Sequence, residues 1–348
     1  MAVLSIYNGL NAKVRALKGQ LLTAEDYQGF AQLRSVEDIG HKLQEYPFYS
    51  AVLGDIPSKD MRRGLIEQRI LLSLAGDFSR IYRFIYDFRL KSYFDAFFMR
   101  NEIKIINYLL SAICDERDIP YSTPELNVLT GSNMNIDFAR LATSKTISEL
   151  IDNLRDTPFH DVLAQAYDGG ASLFELEMRL DIAYYLRLWK LQKKYLEKVS
   201  QKAMMQINGT EIDLRNILWV YRLKNYYQME DNAIYANLIP IQYRLRKEQL
   251  ARMVEARDPD TLWSEIKASP YGGDFAEEAS IEHNYYIAMD KAYKRSQTQN
   301  PHSLAYAIGY IHAKEIEIKN IISLLEGVRY ALDREDIFKY IILPQEKR

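Results

Sequence analysis

The stretch EIDLRNILWVYRL, Glu211 to Leu223, sets two acids and an arginine beside an amide, a grouping that could serve catalysis or a metal ion. Its reduced form, E-I-x-[I/L]-x-N, recurs at Glu102 and Glu315, so the chain carries it three times. A site used once in an active centre has no reason to recur, whereas a structural unit does. The extent of the repetition therefore decides the fold.

Placed over one another, YQGFAQLRSVEDIGHKLQEYPF (Tyr27 to Phe48), FARLATSKTISELIDNLRDTPF (offset 111) and LARMVEARDPDTLWSEIKASPY (a further 112) match without a gap. One column, Ser35, Thr146 and Asp258, holds three residues whose side-chain oxygen can cap a helix start. Asp38 and Glu149 follow three residues later as capping boxes, and the third copy has Pro259 at its first helical position. Ile39/Leu150/Leu262 and Leu43/Leu154/Ile266 lie one turn apart and form a buried stripe. Pro47, Pro158 and Pro270 are expected to stop each helix, followed by the aromatic anchors Phe48, Phe159 and Tyr271. The chain reads as three copies of a helical unit of roughly 110 residues, 1–114, 115–227 and 228–348. A weaker echo links Asp181-x-x-Tyr184-Tyr185 to Glu282-x-x-Tyr285-Tyr286.

Composition agrees with an all-α body. Among 348 residues there are only 10 prolines and 15 glycines, and long segments, Ile66 to Cys114 and Ser172 to Met205, carry apolar residues at helical spacing with no proline. DERDIPYSTPEL and SQTQNPHS read as loops, and INGT, at Asn208-Gly209, as a helix break. Lys+Arg 45 against Asp+Glu 47 leaves a charge of -2, which argues against nucleic acid as a partner. The single cysteine, Cys114, excludes an intrachain disulfide and a cysteine-rich metal site. The start, MAVLSIYNGLNAKVRALKGQLL, lacks the features of a secretory signal, and no apolar run reaches the length of a membrane span, so the expected location is cytoplasmic. The 26 tyrosines, against 13 phenylalanines, suit half-wet helix contacts and protein interfaces.

Read residue by residue, the opening stretch is structural. Glu211/Arg215 and Glu315/Lys319 stand i,i+4 with the acid first, a helix-supporting pair of about 0.2–0.5 kcal/mol. Asn107, Asn216 and Asn320 fall on the apolar face, where a buried amide needs partners across a helix contact. The alternative for Glu211, Asn216, Glu315 and Asn320 is contact with a partner protein. The histidines His41, His160, His283, His302 and His312 have no metal-binding spacing, and no phosphate-cradling or nucleophile-elbow motif is present. The run DREDIF at Asp333 does not supply the aspartate cluster of an all-α isoprenoid synthase. No catalytic residue, metal or cofactor is expected.

These residues together carry a family resemblance. EIDLRNILWVYRLKNYY followed by NLIPIQYRL, together with DTPF, ASPY, HAKEIEIKNIISLLEG and YNGLNAKVRALKGQLL, resembles the C-subunit family of V/A-type ATPases, whose eukaryotic vacuolar counterpart is the d subunit. The resemblance covers essentially the whole chain. It implies a pseudo-threefold funnel of three similar helical domains, non-catalytic, which sits on the cytoplasmic face of the membrane proteolipid ring and receives the tip of the rotor shaft. Lys104 departs from the pattern, because the other two copies carry an acid there, Asp213 and Glu317. Two other readings compete: an open α-solenoid scaffold unrelated to the ATPase, whose usual repeats are much shorter, and an all-α enzyme.

Overall fold

The computed structural model describes residues 2–117, 135–276 and 280–344, and every regular element among them is helical. In chain order the α-helices are α1 (Ala2–Lys18), α2 (Ala24–Phe30), α3 (Val36–Gln44), α4 (Pro47–Leu53), α5 (Arg63–Tyr82), α6 (Phe88–Cys114), α7 (Phe138–Leu141), α8 (Ile147–Asn153) and α9 (His160–Asp168). They continue as α10 (Leu173–Tyr195), α11 (Lys198–Asn225), α12 (Asp231–Ala236), α13 (Lys247–Val254), α14 (Pro259–Lys267), α15 (Ile281–Gln299), α16 (Leu304–Arg329) and α17 (Arg334–Phe338). The expected all-α class is therefore the observed one. Past Arg117 the loop expected at DERDIPYSTPEL lies outside the described residues. SQTQNPHS is half helix and half loop, because α15 runs on to Gln299 and residues 300–303 turn.

The three aligned caps are all made. Ser35 Oγ accepts from Asp38 N–H at 3.0 Å, Thr146 Oγ1 from Glu149 N–H at 3.1 Å and Asp258 Oδ1 from Thr261 N–H at 2.8 Å. Neither Asp38 nor Glu149 closes a reciprocal box, and the Glu149 carboxylate accepts from Lys145 N–H instead, at 2.8 Å. Complete boxes form at Thr23/Asp26 and Ser172/Glu175, outside the aligned column. Both rows of the stripe, Ile39/Leu150/Leu262 and Leu43/Leu154/Ile266, are buried.

The prolines do not stop these helices. α3, α8 and α14 end at Gln44, Asn153 and Lys267, several residues earlier. The end is a tight turn made by aligned residues: Tyr46 N–H donates to Leu43 O at 3.0 Å, Thr157 to Leu154 at 2.9 Å and Ser269 to Ile266 at 3.1 Å. Pro47 instead opens α4 at its first position, where the missing N–H costs nothing.

Gly209 is also not a break. α11 runs through it without interruption from Lys198 to Asn225. A Cβ at this position would meet the Tyr243 ring at 2.3 Å, so glycine is there to let an aromatic side chain lie on the helix backbone. The real break in this region is at Leu196-Glu197, where Leu196 turns extended (ψ 141°) and Glu197 caps α11 by accepting from Val199 and Ser200 N–H.

The chain divides into two compact units. One is built from both ends of the sequence, Met1–Ile85 with Tyr293–Arg348. Its core sets Leu22, Tyr27, Phe30, Ile39, Leu43 and Tyr49 against Ile318, Ile321, Leu324 and Leu325 of α16. The other, Tyr86–Ala292, packs α6 along α10, α10 along α11, and α11 against α13 and α14.

Two E-I-x-[I/L]-x-N helices, α6 and α16, end alike. Glu116 (φ 51°) and Ala331 (φ 52°) turn left-handed, and the next N–H reaches back five residues, Arg117 to Ala112 and Leu332 to Gly327, both at 2.9 Å. This is the Schellman closure with a non-glycine residue in the strained position. α11 ends in a variant of it at Gln228 (φ 49°).

Candidate functional site

The recurrent motif is a clasp for backbone outside its own helix, the segment that follows it on α6 and α11 and, on α16, both the segment that follows and the N-terminal Leu22. On α16 the buried Glu317 carboxylate accepts from Leu22 N–H at 2.5 Å, from the Tyr49 hydroxyl at 2.5 Å and from the Lys314 ammonium at 2.6 Å. On α11 the buried Asp213 accepts from Tyr243 N–H at 3.3 Å, Arg244 N–H at 2.7 Å, Leu245 N–H at 2.9 Å and the Tyr271 hydroxyl at 2.7 Å. On α6 the buried Glu102 accepts from Asn135 N–H, from the Asn135 amide at 3.0 and 3.2 Å, and from Ile136 N–H. Leu22, Leu245 and Ile136 each precede the capping residue of a short helix, namely Thr23, Arg246 and Asp137.

A carboxylate suits this task because it only accepts, and the backbone ahead of a helix offers donors. Burial raises the Glu102 and Asp213 carboxyls above their usual values, and the donated N–H groups partly offset it. Lys314 is buried by the same packing, its ammonium 3.8 Å from the Phe48 ring centre and 2.9 Å from the Tyr49 hydroxyl. Burial lowers its pKa, against the pull of Glu317.

Asparagine supplies the second half of the clasp. Asn216 Nδ2 donates to Ile239 O at 3.0 Å while its Oδ1 accepts from Ile239 N–H at 2.9 Å. Asn320 treats Ile342 identically, at 2.8 and 2.9 Å. The side-chain amide acts as a peptide group, satisfying both polar atoms of one buried residue. The expected partner across a helix contact is thus replaced by non-helical backbone shortly before Pro240 and Pro344, where one residue's N–H and C=O both face the side-chain amide; the Ile239 carbonyl also accepts from Ile241 N–H at 2.9 Å. Asn107 Oδ1 has no hydrogen-bond partner among the described residues.

Glu211 and Arg215 are not a solvated helix pair. Glu211 is buried and accepts from the hydroxyls of Tyr185 at 3.0 Å and Tyr285 at 3.5 Å. Arg215 donates to the Tyr285 hydroxyl at 3.2 Å and stands 5.1 Å from that ring's centre. Tyr285 therefore lies between acid and base, and the Asp181/Glu282 echo in the sequence marks the two tyrosines that meet on Glu211. Glu315 is half-buried on α16. Among the described residues no group of three His, Cys, Asp or Glu side chains could hold a metal ion.

The model of the ATP synthase (C/AC39) subunit family matches residues 10–340. The chain belongs to that family. It is 28% identical to the A-type ATP synthase C subunit of Methanosphaera stadtmanae over 334 residues, 90% of this chain and 82% of the relative. The C subunit of Methanobrevibacter smithii is 24% identical over 348 residues (94% and 86%), and that of Halorubrum lacusprofundi 26% over 354 (95% and 96%).

For this C/AC39 member, the sequence pattern marks the right helices and the two asparagines, and it registers Asp213 and Glu317 only as the acid column from which Lys104 departs, not as the carboxylates that do most of the holding. Asp213 and Glu317 stand at the unspecified third position of the motif. The available signal is an acid framed by apolar residues on both sides, with Lys104 as the exception. Lys104 is exposed, and Glu102, two residues earlier, takes over the carboxylate's role in its helix.

Proposed function

We propose that the chain is the non-catalytic central-stalk component that couples the rotor shaft of a V/A-type ATPase to the membrane proteolipid ring, on the cytoplasmic face. The observation that carries this reading is the family match across residues 10–340, with relatives named as the C subunit of A-type ATP synthases. In this reading the three sequence units, 1–114, 115–227 and 228–348, close as a funnel around the shaft tip. The clasps support closure. The motif helix of each unit holds the opening of the next, Glu102 with Asn135 and Asp213 with Leu245, and α16 in the third unit returns to the first through Glu317 and Leu22. Among the described residues no helix is long and apolar enough to cross a membrane, so its hold on the ring would run through contacts with other proteins of the complex. Buried clasps on each connection, a carboxylate in all three and an asparagine at Asn216 and Asn320, support the stiffness that transmission of torque requires.

The test is reconstitution. Complexes assembled with and without this chain are compared for ATP hydrolysis and for ATP-driven ion uptake into vesicles. Hydrolysis should persist without the chain while ion uptake is lost. Undiminished uptake in its absence would overturn the coupling role.

A further inference from the structure

Beside the Asp213 clasp lies an open cleft of about 760 Å³ lined by Tyr243, Arg244, Arg246, Glu248, Gln249, Arg252 and Pro270. We propose that this cleft is a docking site for an acidic peptide segment of a protein partner. The inference stands on the cleft itself and holds whether or not the chain couples a rotor.

Three arginines converge in a chain whose total charge is -2. Arg252 is met by Glu265 at 2.8 Å. Arg244 and Arg246 have no carboxylate partner among the described residues. Both are exposed, yet the segment that carries them is rigidly built. Asp213 holds three successive N–H groups of residues 243–245, and the Tyr243 ring lies against Gly209. The Arg244 guanidinium lies 5.2 Å from the Tyr271 ring centre and donates to Pro270 O at 3.4 Å, while Tyr271 is itself fixed by Asp213. Fixing like charges together is unfavourable alone, and an incoming anion removes the cost. The guanidinium fork matches a carboxylate in two parallel hydrogen bonds.

The occupant is a peptide because the cleft is mixed. Tyr243 and Pro270 offer apolar contact in the same lining as the charges, which a chain of alternating acids and larger side chains can use. Glu248 in the lining opposes a continuous anionic surface such as a lipid bilayer, whereas a peptide can put a neutral residue beside it.

The probe is a short fluorescent peptide of alternating glutamate and tyrosine, followed by anisotropy with the full-length chain. The wild type should bind, with affinity falling as salt is raised, and Arg244→Glu/Arg246→Glu should weaken binding roughly tenfold or more. Lys59→Glu/Lys202→Glu, which reverses two exposed charges elsewhere, should leave it unchanged. Circular dichroism melts check that the variants fold, and the milder Arg246→Gln gives the same direction of change should the double reversal not fold. No binding at low salt, or equal loss in both double variants, overturns the proposal. Vesicles containing phosphatidylglycerol form the second arm. Retention of the chain on them through the same arginines, with displacement of the peptide, would reassign the cleft to a membrane and overturn the peptide reading.

Discussion

A buried asparagine that satisfies both polar atoms of one distant peptide is worth more than its size suggests. In Asn320→Ala both the N–H and the C=O of Ile342 stay buried without a partner, at about 1–3 kcal/mol for each group, whereas in Asn216→Ala only the Ile239 N–H is orphaned, because its carbonyl also accepts from Ile241 N–H at 2.9 Å. Asn320→Ala should therefore destabilise by roughly 2–5 kcal/mol and Asn216→Ala by about 1–3 kcal/mol in urea melts. A near-neutral result would mean that the amide only fills space. Glu102 makes a different prediction, about pH. Burial raises its carboxyl above the usual 4.5, so in the window just above that value the folded state binds more protons than the unfolded one. Stability from this group is therefore lost as pH rises through the window. Relative to Glu102→Gln, which has no proton to lose there, the wild type should lose ground as pH increases and then level off. Melts at a series of pH values read this directly, and a trend in the opposite direction would show that the N–H bonds, not burial, dominate. Such burial is invisible in the sequence at Glu102, because an acid two residues before Lys104 reads equally well as solvated.

Among elements, the caps and the apolar stripe were legible because both are local: Ser35, Thr146 and Asp258 need only their own next turn, and Leu154 only its helical period. The continuity of α11 through Gly209 was not legible, because its reason is Tyr243, far away in sequence. Gly209→Ala tests that reason. Alanine has the better helix propensity, by about 1 kcal/mol, yet its Cβ would have to displace the Tyr243 ring. A net loss of about 1–3 kcal/mol is expected, with reduced near-ultraviolet tyrosine ellipticity. A gain in stability would restore the reading of Gly209 as a weak point. The left-handed closure of α16 predicts the reverse sign: Ala331→Gly should stabilise by up to about 1 kcal/mol, since glycine takes φ near 52° without strain. Unchanged or lower stability in thermal melts would indicate that the Ala331 methyl has compensating contacts.

At the scale of the whole molecule, the sequence units and the compact units are cut differently. Repetition in the sequence divides the chain into consecutive thirds, but compactness joins its two ends, since the core under α2, α3 and α4 is completed by Ile318, Ile321, Leu324 and Leu325. No periodicity could reveal that, because it is a contact between residues nearly three hundred positions apart, such as Leu22 with Glu317. It has a consequence for dissection. Ending the chain at Ile241 looks from the repeat like the removal of one unit of three, but it removes α16 and with it every partner of the N-terminal core named above. It also removes Leu245 and Tyr271 from Asp213, leaving a buried carboxylate without its donors. The fragment 1–241 should therefore be cut quickly by protease within residues 24–82, while the fragment 86–292, which keeps its own clasps on Glu102, Asp213 and Asn216, should melt cooperatively with high helicity. Protection of residues 24–82 in the shorter chain would mean that α2 to α4 are stable without α16, and that the Leu22–Glu317 clasp is dispensable to the fold.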